Sequence, residues 1–137
     1  SSAASDVYKR QSQFSSIILT SNGSADIFHA TANLGGDWQT AANYGGPWYE
    51  KAESIIIDSR NNLIIAGTFS SNFSLGLDEL TDMDNDNYKT DVFVGQLEDN
   101  NQWSWAISAG GYGDDKAHSI QLDSQEILLS ESQYKIP

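Results

Sequence analysis

The chain carries nearly the same message twice. Sliding it by 65 residues lays "DIFHATANLGGDWQTAANYGGPWYEKAESIIIDS", from Asp26, on "DVFVGQLEDNNQWSWAISAGGYGDDKAHSIQLDS", from Asp91, without a gap. Thirteen pairs are identical through Leu63/Leu128, among them Asp26/Asp91, Trp38/Trp103, Gly45/Gly110, Gly46/Gly111, Ala52/Ala117 and Asp58/Asp123. Ordinary composition gives roughly three. Self-similarity at a fixed period marks solenoids, propellers and arrays, whose units cannot bury an apolar face alone and must stack.

Each unit reads as four short strands. "DIFHATAN" and "DVFVGQLE" alternate apolar and polar residues at period two, as one sheet face requires. "NLGGDW" and "EDNNQW" are turn-rich links into "WQTAAN" and "WSWAIS". The Gly-Gly pairs are expected to supply positive φ where the chain reverses. "AESIIID" and "AHSIQLD" then end in Asp-Ser, where a carboxylate can accept hydrogen bonds from the turn backbone, and "NLIIAGTF" and "EILLSES" run back. No window keeps a capped 3.6-residue period, so the expected class is all-β.

A formal charge of -12 and a pI near 4.1 repel phosphate backbones and anionic lipid, which argues against nucleic acid and membrane surfaces as partners. No apolar run reaches membrane-spanning length. With no cysteine, neither a disulfide framework nor a thiolate site is available. The opening "SSAASDVYKRQ" has no strand or helix period, and its "DVYKRQ" resembles translated adapter sequence. Ser1–Gln11 is therefore set aside as non-native or disordered, leaving 12–137 as the repeat region with units at about 26–67 and 91–132.

Four strands per unit of this length point to a β-propeller blade. "GGYGDDKAHSIQLDS", "NNLIIAGTFSS" and "TDVFVGQLEDNNQWSWAISAGG" resemble the bacterial and archaeal β-propeller repeats called SBBP repeats, and "SIIIDSRNNLIIAG" looks like the inner hairpin of NHL-type blades. The resemblance runs from Phe14 to about Tyr134 and is specific for architecture, not for activity. Two departures stand out: Asn61, and in the second copy Gln125 with one polar position also lost, take the place of the family's turn glycine, and "EILLSES" lacks the expected Gly and Thr. The layout this implies is one complete four-stranded blade, Ala52–Asp58, Asn62–Phe69, Asp91–Glu98 and Gln102–Ser108. Half blades at Asp26–Asn43 and Ala117–Ser132 flank it, making the chain a propeller fragment. Alternate connections of a meander fall on opposite faces, so "YGGPWYEK", "GGYGDDK" and the link Ser70–Thr90 share one face.

Few residues suggest chemistry. Asp82, Asp84 and Asp86 are spaced as in the opening of a calcium loop, but Asn87 stands where an EF-hand has Gly and Phe93 where it has Glu. The expected calcium ligands are Asp82, Asp84, Asp86, Tyr88 and Asp91; the plain alternative is a solvated acidic insertion. Trp48, Tyr49 and Glu50 occupy a loop whose aromatic pair is unique to one copy, and with Asp114 and Asp115 they are the candidate ligand-binding residues. Trp38, Trp103 and Trp105 read as packing between sheets rather than sugar platforms. His29 and His118 lack partners at metal-ligand spacing, and no hydrolase, phosphate-loop or zinc motif is present.

The expected function is a non-catalytic, extracellular or cell-surface binding or scaffolding module, with the parent chain's other blades and a protein or glycan ligand as partners. The alternative is a carbohydrate-active or lyase-type propeller whose acids converge from further blades. A fold that hosts many activities does not choose between them.

Overall fold

The computed structural model describes residues 3–5, 10–84 and 86–133. All regular structure among them is β, in thirteen strands, each paired strand antiparallel to its neighbour. At the centre lies a four-stranded meander: β6 (Glu50–Ile57), β7 (Leu63–Phe69), β10 (Asp91–Leu97) and β11 (Trp103–Ala109), in the spatial order β11-β10-β7-β6. Two hairpins flank it in sequence, β4 (Ile27–Ala32) with β5 (Trp38–Tyr44), and β12 (Asp115–Leu122) with β13 (Ile127–Gln133). These are the strands expected from the repeat, within two residues at each start.

The repeat extends to the register. In β4–β5, Ile27 faces Tyr44 and a bulge after Thr31 brings Ala32 opposite Trp38. In β10–β11, Val92 faces Ala109 and a bulge after Gln96 brings Leu97 opposite Trp103. Every one of these positions is displaced by 65. The bulge between Ala52 and Ser54 in β6 likewise recurs between Ala117 and Ser119 in β12.

Three of the hairpin turns share one chemistry. Asn61 donates its N–H to Asp58 O at 3.1 Å, Asn101 to Glu98 O at 2.9 Å and Gly36 to Asn33 O at 3.0 Å. All three residues have positive φ (64°, 66° and 89°), the left-handed position after a tight turn that Gly and Asn tolerate. Asp58 also accepts the N–H groups of Arg60 (2.8 Å) and Asn62 (2.9 Å), the role expected of an Asp at a strand end. The turn at Asp123 differs. It closes directly from Asp123 N–H to Glu126 O at 3.1 Å, so the left-handed residue is deleted rather than replaced by Gln125. The deletion moves the partner strand by one, and Leu63 corresponds to Ile127, not to Leu128.

The inner strands of the central sheet, β7 and β10, are buried on both faces, which corrects the alternation read from "DVFVGQLE". On one face Ile65, Phe69, Phe93 and Leu97 pack against Ile27 and Tyr44 of the first hairpin. On the other, Ile64, Ala66, Val92 and Val94 pack against Ala117, Ile120 and Leu129 of the last. A sheet that feeds two cores this way reads as a near-continuous apolar run.

The link 70–90, read from sequence only as a connection, holds a further hairpin of β8 (Phe73–Leu75) and β9 (Asp78–Leu80). Its Phe73, Leu75 and Leu80 are buried in the first core, with Phe73 5.4 Å from Phe69 and 5.9 Å from Phe93 between ring centres. Asp78 Oδ2 accepts Ala106 N–H at 2.8 Å and ties the hairpin to β11. Toward the N-terminus, β1 (Ala3–Ser5), β2 (Arg10–Phe14) and β3 (Ile17–Thr20) form a separate sheet not foreseen from sequence. Its Phe14 packs on Phe28 and edge-on to Trp38. Of the segment set aside, Ala3–Ser5 and Arg10–Gln11 are thus in strands.

Candidate functional site: two acidic junctions

The same junction is built twice where one sheet hands the chain to the next. In the first, Glu50 N–H donates to Ala25 O at 2.8 Å; in the second, Asp115 N–H donates to Thr90 O at 2.7 Å. Each of these acids then turns its carboxylate back to its own Gly-Gly pair. Glu50 Oε2 accepts Gly46 N–H at 2.9 Å, and Asp115 Oδ2 accepts Gly111 N–H at 3.0 Å. The preceding strand brings Asp26 to the first junction and Asp91 to the second.

This geometry explains the glycines in a way the sequence reading did not. None of Gly45, Gly46, Gly110 and Gly111 has positive φ. At the first of each pair the constraint is steric. A Cβ on Gly45 would stand 2.6 Å from Asp26 Oδ1 and 2.9 Å from Glu50 Oε2, and a Cβ on Gly110 would overlap the Asp91 carboxylate. Gly111, by contrast, has open space around it.

Both junctions are short of hydrogen-bond donors. Glu50, Asp91 and Asp115 are at most 2% exposed, and one oxygen of each, with Asp26 Oδ1, has no hydrogen-bond partner. Burial therefore pushes the Glu50 carboxyl up to about 7, against the lowering effect of the Gly46 bond and with added repulsion from Asp26. Asp91 is also raised, first by burial and then by repulsion from Asp82, Asp115 and Asp84, while the Met83 N–H it accepts at 2.8 Å works the other way. Asp26 instead fills its second oxygen with Asn22 N–H (2.9 Å) and Asn43 Nδ2 (2.8 Å). Asp26 was missed as a site residue; its identity with Asp91 across the repeat was the available signal.

The expected ligand residues separate into two groups. Asp82 and Asp84 join Asp91 at the second junction, where they and Asp115 act on Asp91 electrostatically. Asp86 and Tyr88 do not join them. Asp86 Oδ1 caps the link by accepting Tyr88 N–H (2.9 Å) and Lys89 N–H (3.0 Å), which lowers its pKa, and Tyr88 is 84% exposed. Lys89 lies 3.7 Å from Asp84 and 3.8 Å from Asp86, and donates to Tyr112 O at 3.0 Å. Among the described residues, no three acidic or histidine side chains are grouped so as to hold a metal ion. Asp114 and Asp115, adjacent in the chain, part company: Asp114 Oδ1 accepts Thr90 N–H at 3.1 Å and Asp115 turns to Gly111.

Trp48 and Tyr49 are held by their backbone and exposed by their rings. Trp48 O accepts the N–H groups of Ser24 (2.7 Å) and Ala25 (3.2 Å), and Tyr49 O accepts Ser70 N–H at 2.9 Å. The two side chains stay on the surface, directly before buried Glu50. His29 is buried, stacked on Tyr44 and 3.1 Å from Asn101 Oδ1, so it ties the first hairpin to a turn of the central sheet. Trp103 packs edge-on to Tyr44 and over Gly95, and Trp105 joins the second core.

No family model matches this chain. No curated protein matches it either. No helix among the described residues is long and apolar enough to cross a membrane.

Proposed function

We propose that the chain is a stretch of an SBBP-type β-propeller, one blade and two half blades, serving outside the cell as a non-catalytic binding or scaffolding module. The observation that carries the architecture is the pair of hairpins packed on opposite faces of β7 and β10, each repeating the register of the central sheet and joined to it by the same junction hydrogen bond. Sheets stacked face to face through one repeated junction are what radial repetition requires. The binding reading is supported by Trp48 and Tyr49, flat rings presented on a backbone-pinned loop. The acids that would otherwise suggest catalysis are each engaged by the fold: Glu50 and Asp115 hold the Gly-Gly turns, Asp91 holds Met83, and Asp114 holds Thr90.

Calcium belongs to this reading through the link Asp82–Asp91. The carboxylates of Asp82, Asp84 and Asp115 each repel that of Asp91, and a divalent ion would relieve that repulsion if the link closed on it. The test is retention on glycan and peptide arrays, run in millimolar calcium and again in chelator. Loss of a specific signal on Trp48→Ala, with unchanged melting, supports the module; a signal indifferent to Trp48→Ala and Tyr49→Ala sinks this surface. Sensitivity to chelator that disappears in Asp84→Ala assigns the ion to the link.

A further inference from the structure

We propose that β13 of one copy of this chain pairs with β4 of a second copy, completing a four-stranded sheet between the two. Among the described strands, β4 pairs only with β5 and β13 only with β12, so each has an open edge. Those edges are complementary by construction. β4 is the counterpart of β10 at an offset of 65, and β13 is the counterpart of β7 once the one-residue deletion at Asp123 is counted. In the central sheet β7 and β10 are paired to each other, antiparallel, with Ala66 opposite Val94 and Ile65 opposite Gly95. Carrying that register over sets Ser130 against His29, Leu129 against Ala30, Leu128 against Thr31 and Ile127 against Ala32. Unpaired strand edges are templates for such addition.

The side chains agree with the transferred pairing. Beside β4 the central sheet bears a groove of about 970 Å³, lined by Phe28, Trp38, Ile55, Ile57, Leu63 and Ile65. On the opposite face of β6 and β7 the equivalent place is filled by the chain's own β12–β13 hairpin. Pairing β13 with a neighbour's β4 lays the same hairpin into the neighbour's groove. Apolar side chains wait on both sides: Ile55 is 52% and Ile57 65% exposed, and Leu128 is 57% exposed. Leu128 is the counterpart of Ile64, which makes this kind of contact inside one chain, against Ala117 and Ile120. The joint is head to tail, so copies close into a ring where the rotation permits and otherwise extend. With -12 on each copy, association strengthens as salt screens the repulsion.

The proposal rests on the blade reading, and cross-linking separates the two. These 137 residues contain no cysteine, so Ala30→Cys with Leu129→Cys in this chain offers one defined disulfide. Oxidation is expected to give dimers and higher species that rise with protein concentration and salt. The pair His29→Cys with Leu129→Cys, out of register and on opposite sheet faces, serves as the control and should give far less. Leu128→Asp, at a site exposed in the single copy, should weaken association measured by sedimentation roughly tenfold or more without lowering melting. A monomer at every concentration and salt, or equal cross-linking of both cysteine pairs, overturns the proposal. Hydrogen exchange on the dilute chain then tells which idea failed. Open-edge amides of 27–32 that exchange fast leave the blade reading standing without self-assembly; the same amides already protected in the monomer defeat the blade reading itself.

Discussion

The two junctions share a backbone and differ in what precedes them. At the first, five residues, Ser21–Ala25, lead from β3 into Asp26. At the second, twenty-one residues separate Phe69 from Asp91, and they add a hairpin, three buried apolar side chains and the acids Asp82 and Asp84. Yet Glu50 and Asp115 make the same two hydrogen bonds, and Gly45 and Gly110 meet the equivalent carboxylates of Asp26 and Asp91. The junction is thus insensitive to the length of the link feeding it. The insertion instead changes the core on one side and the charge density on the other.

Removing the inserted ring is the harshest way to break the comparison. Phe73→Ala empties a site 5% exposed between Phe69 and Phe93, and should cost about 3–5 kcal/mol in denaturant unfolding. A loss below about 1 kcal/mol would mean that the link hairpin is decoration and that the two junctions are energetically alike.

Next come the glycines. Gly110→Ala drives a methyl into the Asp91 carboxylate and should cost about 1–3 kcal/mol, with Gly45→Ala similar, while Gly111→Ala meets open space and should stay within about 0.5 kcal/mol. Equal costs at Gly110 and Gly111 would show backbone conformation, not the carboxylate, to be the reason for the pair.

The mildest test sharpens the electrostatic side. With its folded pKa raised from 4.5 to about 7, Glu50 binds its proton more tightly folded than unfolded. Its stabilising contribution is therefore complete below about pH 4.5 and is lost as pH rises through about 7. Glu50→Gln, which keeps an acceptor for Gly46 N–H, should match the parent near pH 4 and be the more stable of the two near pH 8. Identical pH profiles for parent and variant would remove Glu50 from the account and leave Asp91, raised by the same causes, as the next residue to substitute.

Strand positions were legible because the repeat aligned two noisy patterns at once. Strand ends at Asp58 and Asp123 came from residue types whose chemistry is local. The β8–β9 hairpin was not legible: it occurs once, so no second copy reinforced it, and "NFSLGLDEL" is short enough to pass for loop. The site was half legible. Acid spacing singled out Asp82, Asp84 and Asp91, but the same spacing drew in Asp86 and Tyr88, which turn to the link's own backbone and to solvent.

By itself the sequence determined the period, the strands within it and the turn chemistry, because strand alternation and tight-turn geometry depend on neighbours a few residues apart. It also marked a Gly-Gly pair and an acid at each junction, though not the reason for the first glycine. Only the tertiary structure decided that reason. Asp26 and Gly45, or Asp91 and Gly110, lie nineteen residues apart and meet through β4–β5 or β10–β11, where a carboxylate occupies the volume a side chain would need. It likewise decided that β7 and β10 are buried on both faces, since a strand's pattern alone does not say how many layers will cover it.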